Sequence, residues 1–174
     1  MEAQSVAPTR TGRDVDAERM RWEDWSAYGF LLAGIYFLVG TLFFYAGKEK
    51  IFEGIGAPKG IKEQFEGTFL ATIPGTDAAW TILGILEFAV FVVVIISLVR
   101  MEFMPNRAKP WLLSALGLAV FTFSILAIGQ NVTGENSGVA ELYIYAGATG
   151  VLFFLVLQLP PYKRANWISG RAGR

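Results

Sequence analysis

Residues 79–99, AWTILGILEFAVFVVVIISLV, form an apolar run with one ionisable side chain, Glu87. A helix of about 20 residues rising 1.5 Å each crosses a 30 Å hydrocarbon layer, so the run has the length of one membrane span. Its stretch 88–98 is apolar all round, whereas a helix of a soluble bundle keeps a polar face. Three further runs have similar length: 25–46, 111–130 and 140–159. Backbone groups find no water in hydrocarbon, so each run must satisfy its own N–H and C=O groups as a helix. The fold class expected is an all-α integral membrane protein, a four-transmembrane-helix bundle. Residues 25–159 make one membrane domain between a charged tail, 1–24, and a basic tail, 160–174.

Composition agrees and excludes several chemistries. The chain is 53% hydrophobic and only 17% charged, with a mean hydropathy of +0.44, on the membrane side of the soluble norm. Its formal net charge of +0 supplies no surplus of cations for phosphates, so no nucleic-acid partner is expected. With no Cys and no His, the chain offers no thiolate nucleophile, no Cys-held cluster and no His ligand for haem or metal. No cofactor held through His or Cys is expected, and a quinone is the candidate considered with Glu87 below.

Short-loop charges set the expected orientation. Residues 131–139 hold no Lys or Arg, while Arg100, Arg107 and Lys109 crowd the loop before them. Arg10, Arg13, Arg19 and Arg21 precede the first span, and Lys163, Arg164, Arg171 and Arg174 follow the last. Both termini and the second loop are therefore expected in the cytoplasm. Lys48, Lys50, Lys59 and Lys62 fall on the outer side against this rule, among Glu49, Glu53, Glu63, Glu66 and Asp77. Because the first span follows a long charged stretch and ends without a small-residue cleavage site, it is read as retained, not as a signal peptide. Trp22, Trp25, Trp80, Trp111 and Trp167 fall at or beyond span ends, as an aromatic belt requires.

The first outer loop carries Ile61, Phe65, Phe69 and Ile73 at intervals of four, with Lys62, Glu63, Gln64 and Glu66 between them. That pattern predicts an interfacial amphipathic helix, ended by Pro74 and Gly75. Gly29, Ala33 and Gly40 on the first span, with Ala146 and Gly150 on the fourth, are small enough to let helices approach closely.

An ionisable residue inside a span is costly and is paired, neutral or functional. Counting inward from residue 79 puts Glu87 roughly 12 Å below the outer boundary. Thr41, Thr122 and Thr149 fall near the same depth as candidate donors, with Tyr36 and Tyr45 about a turn or more to either side. When neutral, such a carboxyl donates a hydrogen bond to a carbonyl, a quinone's included; its plainer use is as an interhelical tie. A second candidate is the outer charge cluster of Lys48, Lys50, Glu53 and Glu66 beside Tyr45, where a solvated helix end is the plainer reading.

The segment Phe43-Phe44-Tyr45-Ala46-Gly47-Lys48-Glu49-Lys50-Ile51-Phe52 looks like the F-x-x-x-G-x-x-K end of the first span in the DoxX-like membrane proteins. Leu83-Gly84-Ile85-Leu86-Glu87 resembles their G-x-x-E in the second. The four-span layout with a long, partly helical first loop matches too, so the resemblance covers roughly residues 25–159. It implies a small bacterial inner-membrane protein tied to redox complexes. That family includes the small subunit of a thiosulfate:quinone oxidoreductase and proteins associated with thiol and superoxide handling. Lys50 and Glu87 are the two positions carried over as motif residues, while the charged N-terminus and basic tail depart from the minimal pattern.

Three functions are then open. The first is a non-catalytic accessory or anchor subunit of a larger membrane electron-transfer complex, bound to lipid and to other membrane subunits. The second is a quinone-reactive subunit using Glu87 and nearby hydroxyls. The third, a small proton-coupled transporter, is disfavoured by the lack of paired broken helices.

Overall fold

The computed structural model describes residues 22–52, 56–73, 75–105 and 107–159. Helices α1 (Trp22–Phe52), α4 (Thr76–Val99), α5 (Pro110–Thr133) and α6 (Asn136–Gln158) are long and apolar enough to cross a membrane. Two short helices, α2 (Lys59–Phe65) and α3 (Phe69–Thr72), lie in the connection between α1 and α4. No strand occurs among the described residues. The chain is an all-α, multi-pass membrane protein whose large exposed side chains, such as Phe30 and Phe37, face lipid because no aqueous fold would leave so many uncovered. Of the two expected tails, only residues 22–24 are described, and they already belong to α1.

Packing runs in a series: α1 lies against α4, α4 against α5, and α5 against α6. One stripe of α1 points inward at Leu32, Ile35, Val39 and Phe43, the three-and-four spacing of a single helical face. It meets Val90 and Val94 of α4 and Leu112, Leu116 and Ala119 of α5 in one core. Phe43 stacks on Phe123, ring centroids 5.3 Å apart, which ties α1 to α5 across the bundle.

The close helix approach falls elsewhere than the sequence suggests. A Cβ on Gly47 would stand 2.7 Å from the backbone nitrogen of Phe88, and one on Gly84 would stand 2.7 Å from Lys50 Cβ. These two glycines set the α1–α4 crossing. Among the described residues, Gly29 and Gly150, by contrast, have nothing within 4 Å of an added Cβ, and Gly40 meets only Val94 at an ordinary 3.7 Å. The first and fourth spans are not closely packed on each other, so small residues there have no partner to admit.

The outer-loop helix is also interrupted. Gly67 takes a φ of 80° between α2 and α3, a left-handed conformation that breaks the helical register and favours glycine. The four-residue stripe therefore splits: Ile61 and Phe65 turn onto the bundle, whereas Phe69 and Ile73 stay exposed.

Both described span-to-span turns use the same closing device. At the end of α5, Gly134 is left-handed, with Gly134 N–H donating to Asn131 O and Glu135 N–H to Gln130 O. At the end of α4, Met101 takes that role with φ 56°, its N–H donating to Leu98 O and the Glu102 N–H to Ser97 O. Each is the paired arrangement that caps a helix with a left-handed residue. For a side chain larger than glycine the conformation costs about 1–2 kcal/mol, and here it folds Glu102 back under the bundle.

Candidate functional site

Two buried polar stations lie on one face of α4, which reads Gly84, Glu87, Val90, Val94, Ser97. The first is at the end near α2. Glu87 Oε2 stands 2.8 Å from Lys50 Nζ, with side-chain exposures of only 4% and 11%. Oε2 has no other partner among the described residues. The contact is one of charge. Lys50 Nζ also lies 3.4 Å from Ala46 O and 4.9 Å from the centre of the Trp80 ring, two electron-rich surfaces that share the desolvated cation.

Local sequence explains the meeting. Gly47 and Lys50 are three apart on α1, as are Gly84 and Glu87 on α4, so each glycine shares a face with its charge. The glycines bring the backbones together, and the charges one turn along find each other. Lys50 reaches this position because α1 continues to Phe52, six residues past the apolar run that ends at residue 46.

None of the three threonines expected around Glu87 donates to it. Thr41 is exposed and donates to Phe37 O, Thr122 donates to Leu118 O, and Thr149 donates to Tyr145 O. Each hydroxyl serves the carbonyl four residues back on its own helix, the usual use of a Thr that faces no polar partner. Tyr45 is exposed. Of the expected outer charge cluster, Lys50 turns inward to Glu87, Lys48 is half-buried, Glu66 is exposed, and Glu53 lies outside the described residues.

The second station, at the opposite end of α4, went unread in the sequence apart from Tyr36. The Tyr36 hydroxyl is 2.6 Å from Ser97 Oγ, which donates to Glu102 Oε2 at 2.8 Å. Glu102 also accepts the backbone N–H groups of Trp111 at 3.2 Å and Leu112 at 3.0 Å. The first N–H groups of a helix have no intrahelical acceptor and carry its positive pole. Because Lys109, at the N-cap of α5, supplies no capping side chain, the carboxylate from the preceding turn does so. Fully buried Lys109 donates to Arg107 O at 2.9 Å and Met104 O at 3.4 Å, and its Nζ lies 5.5 Å from the Tyr28 ring centre. Burial pushes its ammonium down to about 8, with Glu102 pulling the other way.

Between the stations, Val90 and Val94 are fully enclosed. Ten residues of helix separate Glu87 from Ser97, about 15 Å, with no polar side chain on that face of α4 between them.

Beside the first station lies an apolar cavity of about 200 Å³. Helix α2 closes one wall with Ile61, Gln64 and Phe65, α4 contributes Trp80 and Leu83, and α5 contributes Leu126, Gly129 and Gln130. Two polar contacts fasten α2 above it. Lys62 Nζ pairs with Asp77 Oδ1 at 2.9 Å, and Gln64 Nε2 donates to Thr133 Oγ1 at 3.2 Å. Asp77 Oδ1 further accepts the Ala57 N–H at 2.8 Å. Among the described residues, no group of three or more Asp and Glu is gathered as a metal site would need.

No protein-family model, no curated protein and no solved structure matches the chain.

Proposed function

We propose that this chain is a non-catalytic accessory or anchor subunit of a larger bacterial membrane electron-transfer complex. The observation that carries the reading is that Glu87, the one carboxylate deep in a span, is already held by Lys50. An acid engaged by a buried cation joins α1 to α4 and offers no free proton or open coordination to a substrate. The α6 packing supports the same reading. Only 17% of its most apolar stretch is buried, against 33–39% in the other three spans, so one helix leaves most of its circumference for lipid or a neighbouring chain. The redox setting rests on the resemblance of the two G-x-x-K and G-x-x-E segments to DoxX-like proteins, whose two carried-over positions are here each other's partners.

In this reading the chain sits in the bacterial cytoplasmic membrane, with both termini and the α4–α5 loop on the cytoplasmic side. Arg100 and Arg107 favour that side. Three of the four lysines that run against it pair with acids, Lys50 with Glu87, Lys59 with Glu63 and Lys62 with Asp77.

A quinone-reactive role through Glu87 is less well supported, because its expected hydroxyl donors serve their own helices. A proton path is disfavoured by the valines that separate the two polar stations. Electron transfer through the native complex distinguishes these readings. An accessory role predicts unchanged turnover in an assembled complex carrying Lys50→Met with Glu87→Met, and a quinone role predicts its loss.

A further inference from the structure

Going beyond the accessory role, and independent of it, we propose that the cavity between α2, α4 and α5 is a binding site for a neutral aromatic monocycle carrying one hydrogen-bonding substituent. Size sets the first limit. The cavity holds about 200 Å³, somewhat more than the roughly 150 Å³ of an apolar engineered cavity that stays dry and takes up benzene. One six-membered ring with a small substituent fits that volume.

Wall chemistry sets the second limit. Phe65, Leu83 and Leu126 give the ring an apolar bed, and Trp80 offers an aromatic partner for stacked or edge contact. The carboxamides of Gln64 and Gln130, with the hydroxyl of Thr76, are the polar groups on the wall, so one hydroxyl or carbonyl on the ring can be satisfied. Charge is excluded because neither Lys50 nor Glu87 lines the cavity; both lie past Trp80 and are spent on each other. An ionised ligand would be desolvated without a counter-charge.

The probe is 4-fluorophenol, neutral at pH 7, followed by fluorine NMR on the full chain in nanodiscs against empty nanodiscs. Gly129→Leu tests the location, since a Cβ there points to Phe65 Cζ at 3.6 Å and the longer side chain fills the cavity. Gly117→Leu on the same helix, where nothing lies within 4 Å, is the control. The expected result is saturable binding of one molecule per chain, with affinity at least tenfold lower in Gly129→Leu and unchanged in Gly117→Leu. A response that rises without saturation, as in empty nanodiscs, overturns the proposal, as does equal affinity in the two variants. If Gly129→Leu does not fold, wild-type fluorescence decides: saturable perturbation of emission that disappears in Trp80→Phe supports the site, and its persistence in Trp80→Phe overturns it.

Discussion

Lys50 and Glu87, thirty-seven positions apart in the chain, meet at 2.8 Å where Gly47 and Gly84 draw α1 against α4. Removing one partner from a buried pair leaves the other charged in low dielectric, which costs about 3–5 kcal/mol, whereas replacing both with apolar groups is close to neutral. Glu87→Gln and Lys50→Met alone are each expected to lower the thermal midpoint in detergent. The double variant Lys50→Met with Glu87→Met is expected to recover most of the loss. Additive losses in the double variant would contradict the pairing.

The glycines beneath that pair make a separate prediction. Gly47→Ala puts a methyl against the Phe88 backbone, which has no side-chain freedom with which to yield. Overpacking of this kind costs about 1–3 kcal/mol. Gly29→Ala and Gly150→Ala, which meet open space, are expected to leave the melting curve essentially unchanged.

At the other end of α4, Glu102→Ala strips the acceptor from Ser97 and from the Trp111 and Leu112 N–H groups. Loss of a helix cap costs about 0.5–2 kcal/mol, and the exposed end of the buried Tyr36–Ser97 pair adds to it. Amide exchange at Trp111 and Leu112 is expected to accelerate ahead of global unfolding. Met101→Gly, which relieves the left-handed turn, is expected to slow unfolding.

Lys109 gives the chain a pH signature. Its folded value is held at about 8, below the ordinary 10.5, so between those two limits the unfolded chain binds more protons than the folded one. Stability then rises with pH across that window and gains nothing further from this group above it. A melting series from pH 7 to pH 11 is expected to show the rise, and Lys109→Met is expected to flatten it.

The exposed face of α6 bears Tyr143, Ile144, Gly147, Val151 and Phe154. Gly147→Trp adds bulk where nothing among the described residues stands within 4 Å. Unaltered melting of the isolated chain with weakened co-purification of neighbours is the expected outcome.

What the sequence reveals here follows hydropathy closely and polar detail poorly. The four spans are legible because hydrocarbon forces long apolar runs. The continuation of α1 to Phe52 is not, because Lys48, Glu49 and Lys50 end the apolar run while the helix goes on. Ending the span at residue 46 slides the expected register of α1 along α4, which sets Thr41 rather than Lys50 level with Glu87. The same slip carries Tyr36 away from its observed partner Ser97. Glu102 is hidden for another reason: it reads as one more loop charge until the left-handed Met101 folds it under the first turn of α5. The stripe from Ile61 to Ile73 keeps its spacing of four through Gly67, so the break there is visible in the glycine and not in the apolar pattern.

The proposed role makes the chain part of an assembly, and its native mass tests that role. Extraction from the source membrane in a mild detergent, followed by native mass spectrometry, is expected to find the chain in stoichiometric complex with other membrane proteins that carry redox centres. A homogeneous 19.1 kDa species with no partner chain would rule that role out.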